Sequence, residues 1–138
     1  MKKSSSIIRL IILPKINDDC WLCFAEGRRH IPFSLKRVYY ILQAKPGLPR
    51  GAHAHYKTDQ VLFCVQGSVR MVLDDGVRQE EAILDKPEVG VLIPKKVWHE
   101  MHDLKRDTVL LVLASRFYEK EDYIRNYKKF LKVVGHGK

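Results

Sequence analysis

The sequence contains little cysteine, glycine and proline, and none of its apolar runs is long. It has three Cys, eight Gly and six Pro among 138 residues. Three Cys do not make a disulfide framework, and so few Gly and Pro exclude a fibrous or low-complexity chain. The apolar run Val109–Ala114 is far shorter than a membrane span, so we expect no membrane partner. The chain is therefore predicted to form one domain over 1–138.

The N-terminal segment also lacks the pattern of a signal peptide. Arg9 and Lys15 interrupt its apolar residues, and no small-residue cleavage site follows. The odd number of Cys agrees with a reducing compartment. We therefore expect a cytoplasmic protein.

Negative charge is scarce relative to positive charge. The chain has 25 Lys and Arg against 16 Asp and Glu, which gives a formal net charge of +9. Such a field favours anionic partners. The basic residues are scattered and no zinc-finger or RNA-recognition signature is present, so we expect no nucleic-acid partner. A small anion such as a nucleotide diphosphate fits the charge, and a merely solvated basic surface is the alternative.

Most of the chain is predicted to form short β-strands with turns between them. The candidate strands cover 7–13, 21–26, 37–42, 60–65, 68–73, 81–84, 89–93, 98–102 and 109–115. Strands at this spacing are typical of a sandwich or a small barrel. Near the end, Tyr123, Tyr127 and Phe130 recur at helical spacing, which predicts a short C-terminal helix over about 118–131.

Two histidines stand out because they are two residues apart. On a strand, His53 and His55 face the same way. From Gly47 to Gly67 the chain follows the pattern G-x5-H-x-H-x4-E-x6-G, except that Gln60 occupies the Glu position. This segment resembles the first motif of the cupin superfamily.

A second segment resembles the second cupin motif more loosely. It contains Gly90, Pro94 and His99, while Lys96 and Asp103 occupy positions where that motif usually has Gly and Asn. Together the two resemblances span about 35–115. They imply an all-β cupin jelly-roll barrel whose mouth is lined by these segments.

The residues alone leave three roles open for the histidines. With a fourth ligand, His53, His55 and His99 would hold iron, manganese, nickel or zinc. Gln60 disfavours a metal because a neutral amide is a poorer ligand than a carboxylate. The histidines would otherwise only pack in the barrel, or act as an acid/base pair without metal, since imidazole titrates near pH ~6.5.

A closer resemblance covers about 37–130. It is carried by Arg50–His55 and by the segments 60–62, 67–68, 73–76, 97–101, 110–115 and 122–127. As a set these are similar to the bacterial dTDP-sugar 3,4-ketoisomerases, which act on dTDP-4-keto-6-deoxyglucose. The resemblance implies a metal-free homodimer with no cofactor, catalytic His53 and His55, and an N-terminal strand (about 7–13) that crosses between subunits.

The same resemblance implies a pathway. The expected neighbours are a dTDP-glucose 4,6-dehydratase and a PLP-dependent aminotransferase. The product would be a 3-amino-3,6-dideoxy sugar for a lipopolysaccharide or S-layer glycan.

The chemistry of such an isomerisation matches the residues. The C3 proton of a 4-keto sugar is acidified by the carbonyl, and its removal gives an enediol that is reprotonated at C4. This needs a base, a proton donor and stabilisation of an oxyanion. We predict that His53 and His55 form the acid/base pair, with His53 as the base acting on carbon. His99 would polarise an oxygen, and Gln60 would bind a sugar hydroxyl.

Arginine and aromatic residues are the candidates for binding the nucleotide. Arg presents paired donors that suit a diphosphate, and Arg50 lies three residues before His53. Tyr39 shares the face of Arg37, whereas Tyr40 faces the other way, and either could contact thymine or phosphate. The predicted substrate-binding set is Arg37, Tyr39, Tyr40, Arg50, Gln60, Arg70, Trp98 and His99.

Three other functions remain alternatives at this point. A sugar-nucleotide 3,5-epimerase also removes carbon-bound protons, but its base is usually a His paired with an Asp, and no Asp partner is evident in the sequence. A metal-dependent cupin enzyme and a non-catalytic ligand-binding cupin are the other two.

Overall fold

The computed structural model describes residues 6–135, so both ends of the predicted 1–138 domain lie outside the described part. Its strands are β1 (Leu10–Ile12), β2 (Lys15–Asn17), β3 (Trp21–Cys23), β4 (Arg37–Ile41), β5 (Arg50–His55), β6 (Gln60–Gln66), β7 (Val69–Asp74), β8 (Gln79–Leu84), β9 (Val89–Ile93), β10 (Trp98–His102), β11 (Val109–Ala114) and β12 (Tyr123–Ile124). A 3-10 turn (Lys120–Asp122) precedes β12, and a helix, α1 (Tyr127–Val133), follows it.

The strands form two antiparallel five-stranded sheets. One has the order β1-β9-β6-β11-β4 and the other has the order β12-β5-β10-β7-β8, while β2 and β3 form a separate hairpin. Neighbours in each sheet are often distant in sequence, as in a jelly roll. The predicted all-β jelly roll with a short C-terminal helix is confirmed.

The main core lies between the two sheets. Leu62 and Val112 come from the first sheet, and Met71, Leu73 and Met101 come from the second; all are at most 2% exposed. They alternate with outward-facing residues along their strands, as the two-residue period of a strand requires. Burying each such side chain contributes about 1.5–3 kcal/mol, so this core holds the two sheets together.

A second cluster covers the outer face of the first sheet. Leu13, Ile31 and Phe33 pack there against Val61 and Phe63. The strand β6 is therefore buried on both faces. This explains why its sequence is continuously apolar rather than alternating.

The C-terminal helix begins later than predicted. Tyr123 and Ile124 belong to β12, where they pair with His55 and Ala54, and α1 starts only at Tyr127. The side chain of Asn126 accepts a hydrogen bond from the backbone N–H of Lys129 and so caps the helix. The predicted helix over 118–131 was thus wrong at its N-terminal end, because sheet pairing takes Tyr123 out of the helical pattern.

The predicted N-terminal strand is shorter than expected and lies within its own chain. Of residues 7–13, only Leu10–Ile12 form a strand, which pairs with β9 at the edge of the first sheet. Exchange of this strand between subunits stays a prediction. Within residues 6–135, no helix is long and apolar enough to cross a membrane.

Candidate active site

Three imidazoles meet in the barrel where β5 and β10 pair. His53 and His55 come from β5, and His99 of β10 is the register partner of His53. The ring centroid of His53 lies 4.5 Å from that of His99 and 5.1 Å from that of His55, in edge-to-face geometry. The expectation that His53 and His55 face one side of their strand is confirmed. We call these three residues the histidine cluster.

A β-bulge in β5 lies directly before the histidine cluster. The register between β10 and β5 shifts so that His99 pairs with His53 while the next residue, Glu100, pairs with Gly51. Ala52 is the extra residue, and both it and Gly51 have positive φ, at 58° and 86°. Bulges of this kind redirect side chains locally.

The bulge also decides the direction of Arg50. This residue pairs with Met101, whose side chain is buried in the core between the sheets. Partners in an antiparallel pair share a face, so Arg50 lies on the same side of the sheet as His53. Without the extra residue Ala52, Arg50 and His53 would face opposite sides of the strand, because they are three positions apart.

Burial keeps the three imidazoles neutral at pH 7. Burial and the neighbouring His55 lower the pKa of His53 to about 4. Burial lowers the pKa of His55 and, together with His53, takes the pKa of His99 well below its usual value. Within residues 6–135, His53 Nδ1, His55 Nε2 and both ring nitrogens of His99 are buried with no hydrogen-bond partner. A neutral imidazole has one nitrogen that donates and one that accepts, so rings of this kind can act in proton transfer.

An aspartate that the sequence did not reveal holds His55. Asp122 Oδ2 lies 3.0 Å from His55 Nδ1. Its carboxylate also accepts hydrogen bonds from the backbone N–H of Lys57, at 2.8 Å, and from the hydroxyl of Thr58. The sequence showed no clear Asp partner for a histidine, and the structure supplies one. Asp122 and His55 are 67 residues apart and meet only because β12 pairs with β5.

Tyr39 and Gln60 form a hydrogen-bonded pair on the first sheet. Gln60 Nε2 donates to the hydroxyl of Tyr39 at 2.8 Å, and Gln60 Oε1 is buried without a partner in the described structure. Burial and nearby Tyr123 raise the pKa of Tyr39 to about 12. The Tyr39 hydroxyl therefore keeps its proton and, since it accepts from Gln60, is free to donate it elsewhere.

Tyr123 is a second residue that sequence reasoning missed. Its ring centroid lies 4.9 Å from that of His53 and 4.5 Å from that of His55. The guanidinium of Arg125 lies 4.4 Å from the centre of the Tyr123 ring. The segment 122–127 belonged to the set that carried the family resemblance, which was the one available signal.

Cationic and aromatic side chains alternate beside the histidine cluster. The guanidinium of Arg37 lies 5.4 Å from the ring centre of Tyr39 and 5.6 Å from that of Tyr118. The charges of Arg50 and Arg125 both act on His53, whose pKa they lower. Three arginines from three different strands or loops thus surround one region, which suits a diphosphate.

Three predicted substrate-binding residues are not brought to this region. Tyr40 is 67% exposed on the outer face of β4. Arg70 lies on the outer face of β7 and pairs with Asp103 and Glu81. Trp98 faces outward from β10 and packs with its ring centroid 5.7 Å from that of Phe130 in α1. For each, strand alternation turns the side chain away from the histidine cluster.

The cluster offers imidazole nitrogens but no carboxylate for a metal. Asp122 is committed to His55, Thr58 and Lys57, and the Gln60 amide donates to Tyr39. In the part of the chain that the structure describes, no three His, Cys, Asp or Glu side chains are grouped to hold a metal. The expectation of a metal-free site stays a prediction.

Comparison with known proteins assigns the family. The family model FdtA, described as "WxcM-like, C-terminal", matches residues 6–135. A TDP-4-oxo-6-deoxy-alpha-D-glucose-3,4-oxoisomerase from Aneurinibacillus thermoaerophilus is 52% identical over 109 residues, which cover 79% of this chain and 78% of that protein.

Solved structures agree with this match. A 3,4-ketoisomerase from Helicobacter canadensis has 41% identity and a TM-score of 0.90, covering 94% of this chain and 98% of its own. The sugar 3,4-ketoisomerase QdtA from Thermoanaerobacterium thermosaccharolyticum, solved with TDP, has 41% identity and a TM-score of 0.88, covering 92% and 93%. A mutant of that enzyme was solved with TDP-4-keto-6-deoxyglucose. The chain therefore belongs to the FdtA family of sugar 3,4-ketoisomerases.

Proposed function

We propose that this protein converts dTDP-4-keto-6-deoxyglucose to a dTDP-3-keto-6-deoxyhexose by moving a proton between C3 and C4. The observation that carries the proposal is the histidine cluster, in which neutral imidazoles with unpartnered nitrogens meet in the barrel. Relatives that share the fold act on, or were solved with, this nucleotide sugar. The reaction needs a base, an acid and an oxyanion site, and the cluster and its neighbours contain all three.

His53 serves as the base that takes the C3 proton. Its pKa of about 4 makes it a weak base in the free protein. Burial and the neighbouring His55 lower this pKa most, and the positive charges of Arg125 and Arg50 lower it further. A bound diphosphate would offset those two charges. Substrate binding would therefore raise the basicity of His53 at the moment when the base is needed.

The electron pair of the broken C3–H bond forms the enediol, and the C4 oxygen becomes an oxyanion or hydroxyl. Tyr39 is protonated and has a hydroxyl proton to donate, while Gln60 Oε1 can accept from a sugar hydroxyl. His99, whose ring centroid lies 4.5 Å from that of His53, is the third imidazole of the cluster and would contact O3 or O4. The proton that His53 took from C3 would pass to Nε2 of His55, which delivers it to C4. The O3 hydroxyl proton would replace the one that Tyr39 gave to the C4 oxygen, and the ketone ends at C3.

The dTDP moiety would lie against the arginines. Arg37 and Arg50, together with Arg125, would bind the diphosphate through charge-assisted hydrogen bonds. The rings of Tyr39 and Tyr118 flank Arg37, and the Tyr118 side chain is 62% exposed, so it is available to stack on the thymine base. Arg37 Nε is buried without a hydrogen-bond partner in the described structure, so it has a donor to offer a phosphate oxygen.

We further propose a homodimer that uses the outer face of β4. This strand is an edge of the first sheet, and apolar side chains stay exposed on and beside it. Val38 and Tyr40 lie on β4 and Leu42 follows it directly, while Trp21 and Leu35 line a cavity with Leu111 and Leu113 of the neighbouring β11. Monomers rarely expose contiguous apolar patches of this kind. A second copy of the chain would cover them, and exchange of the exposed β1 strand would add to the same assembly.

The proposed reaction fixes the kinds of enzyme on either side of it. A dTDP-glucose 4,6-dehydratase would supply the 4-keto-6-deoxy substrate, and a PLP-dependent aminotransferase would aminate the new ketone at C3. The end product would be a 3-amino-3,6-dideoxy sugar for a surface glycan. We place these steps in the cytoplasm, where nucleotide sugars are made.

Incubation with dTDP-4-keto-6-deoxyglucose in D2O, followed by proton and carbon NMR, tests the proposed reaction. We expect the ketone signal to move from C4 to C3 and solvent deuterium to enter at C4. Exchange at C5 would instead indicate a 3,5-epimerase. Binding of the substrate with neither conversion nor exchange would indicate a non-catalytic binding protein, and either result would overturn the proposal.

A further inference from the structure

Asp122 holds one member of the histidine cluster from outside the cluster. We propose that Asp122 is a positioning residue, which fixes the Nδ1–H tautomer of His55 so that Nε2 is its proton-exchanging atom. The inference rests on the proposed role of His55 in proton transfer. It adds a residue that does not touch the substrate to the machinery of the reaction.

The carboxylate of Asp122 is itself held in place from several directions. The Lys57 backbone N–H donates to Oδ1 at 2.8 Å, and the Thr58 hydroxyl and His55 Nδ1 reach Oδ2. Asp122 is only 7% exposed. Burial alone would raise its pKa, but these hydrogen bonds outweigh burial and hold the pKa below the usual value. Asp122 is therefore an ionised acceptor at neutral pH, held by three hydrogen-bond partners.

An ionised carboxylate can only accept hydrogen bonds, so the partner atom must carry the hydrogen. His55 Nδ1 is consequently the protonated nitrogen of the neutral ring. The remaining nitrogen, Nε2, then has a lone pair, and it is buried with no partner in the described structure. Rotation of the ring would break the 3.0 Å contact to Asp122. One contact thus sets both the tautomer and the orientation of His55.

The same contact makes His55 different from its two neighbours. Within residues 6–135, His53 and His99 have no carboxylate on either ring nitrogen. When Nε2 of His55 takes up a proton, the positive charge that forms lies next to the Asp122 carboxylate, which stays ionised. The pair therefore stabilises a protonated imidazole inside a barrel that otherwise disfavours one. His55 is the ring best able to carry the proton between its removal and its delivery to C4.

The variant Asp122→Asn tests the proposal on the full-length protein. The Asn amide can donate to Nδ1, which would leave the hydrogen of His55 on Nε2, the wrong tautomer. We expect kcat to fall at least about 10²-fold, while KM and the affinity for dTDP stay within about threefold. We also expect 15N NMR to show the His55 tautomer reversed. The milder variant Thr58→Val, which removes one hydrogen bond from the carboxylate, should lower kcat less.

Asp59→Asn is the matched control. Asp59 lies one residue from Thr58 and accepts from the backbone N–H of Lys95, but it contacts no histidine of the cluster. It should leave kcat unchanged.

Each outcome has a definite meaning. An Asp122→Asn protein that folds and keeps its kcat within threefold would overturn the proposal, as would an unchanged His55 tautomer. A loss confined to dTDP affinity would also overturn it. The variant His55→Asn separates this inference from the proposed function: if His55→Asn is fully active, the role of His55 itself is wrong, whereas an inactive His55→Asn beside an active Asp122→Asn refutes only the role of Asp122.

Discussion

The backbone oxygen of His99 lies where a side chain on Gly51 would have to pass. A Cβ atom on Gly51 would be 3.0 Å from that oxygen and 3.6 Å from the imidazole ring of His99, and the backbone at Gly51 has a φ of 86°. Only glycine meets both conditions without strain. The close approach of β5 to β10 at this point is what brings His53 and His99 into contact.

The first prediction concerns this approach. Gly51→Ala should lower kcat at least about tenfold, because a displacement of about 1 Å at a catalytic group is costly. It should also lower the free energy of unfolding by more than the ~1 kcal/mol that a left-handed residue costs. Urea unfolding and steady-state kinetics measure both.

Gly47→Ala is the control for backbone strain alone. Gly47 has a similar φ of 80°, but its Cβ would meet nothing within 4 Å. Its free energy of unfolding should fall only by the ~1 kcal/mol that a left-handed backbone costs a residue with a Cβ, and its kcat should stay unchanged. Equal losses of kcat and of the free energy of unfolding in Gly51→Ala and Gly47→Ala would show that the contact between Gly51 and His99 is unimportant.

The second prediction concerns the two histidines of β5. His53→Asn and His55→Asn should each lower kcat by about 10²-fold or more, since a positioned acid or base contributes about that much. The fold should persist because Asn is tolerated in a polar site. His102→Asn is the matched control, since His102 lies on the outer face of β10 and bonds to Glu100. A fully active His53→Asn or His55→Asn would remove that residue from the mechanism.

The third prediction is a pH dependence of stability. The pKa of His53 is about 4 in the folded chain, and the pKa values of His55 and His99 are lowered as well. Between pH 4 and the unfolded pKa of ~6.5, the unfolded chain binds more protons, so the free energy of unfolding must rise with pH. For His53 alone, the free energy of unfolding is about 3 kcal/mol higher above pH ~6.5 than near pH 4, because the unfolded chain takes up this proton first as the pH falls.

Urea unfolding at several pH values checks this slope. The variant His53→Asn should show a shallower slope than the unaltered protein between pH 4 and 6.5. The lowered pKa of Asp122 acts in the same direction but at lower pH, because its carboxylate protonates below its usual value. Stability that stays flat from pH 7 to 4.5 would contradict the burial of neutral imidazoles.

The sequence predicted the parts of the site that depend on one strand. His53 and His55 face one side because a strand has a period of two, and Tyr39 and Tyr40 separate onto opposite faces for the same reason. Trp98 and Arg70 were assigned to the pocket by residue type alone. Their strand positions turn both outward. Arg70 forms ion pairs with Asp103 and Glu81, and Trp98 packs against Phe130 of α1.

The parts that were missed depend on contacts between distant segments. Asp122 and Tyr123 reach the histidines only through the pairing of β12 with β5. Their local pattern favoured a helix, because Tyr123 has helical spacing from Tyr127. Tertiary pairing outweighs local propensity in this case. The bulge at Ala52 was also missed, although an isolated glycine inside a strand, here Gly51, is a sequence signal for a bulge.

The fourth prediction concerns assembly. Light scattering at micromolar concentration should give twice the chain mass of 16.1 kDa. Tyr40→Glu should shift the protein towards monomer, because it places a charge in the exposed apolar face of β4. Val77→Glu, at a 71% exposed position in the turn between β7 and β8, is the control and should stay dimeric. A monomeric unaltered protein would refute the proposed dimer.

The last prediction concerns how the nucleotide is held. Arg37 lies between two tyrosine rings and has a buried Nε with no hydrogen-bond partner in the described structure, so we expect it to bind a phosphate oxygen. A charge-assisted hydrogen bond contributes about 1.5–3 kcal/mol, so Arg37→Ala should weaken dTDP binding by roughly one to two powers of ten. Calorimetry at two salt concentrations measures this affinity and its salt dependence.

Arg70→Ala removes the same charge from the chain but at a distance from the cluster. Arg70 is paired with Asp103 and Glu81 on the outer face of β7, so its loss should leave dTDP affinity nearly unchanged. If Arg37 binds the diphosphate, Arg37→Ala should raise KM far more than it lowers kcat, because the lost contact is the same in the ground and transition states. Equal dTDP affinity in Arg37→Ala, Arg70→Ala and the unaltered protein would mean that the net positive charge serves surface solvation and that other groups hold the nucleotide.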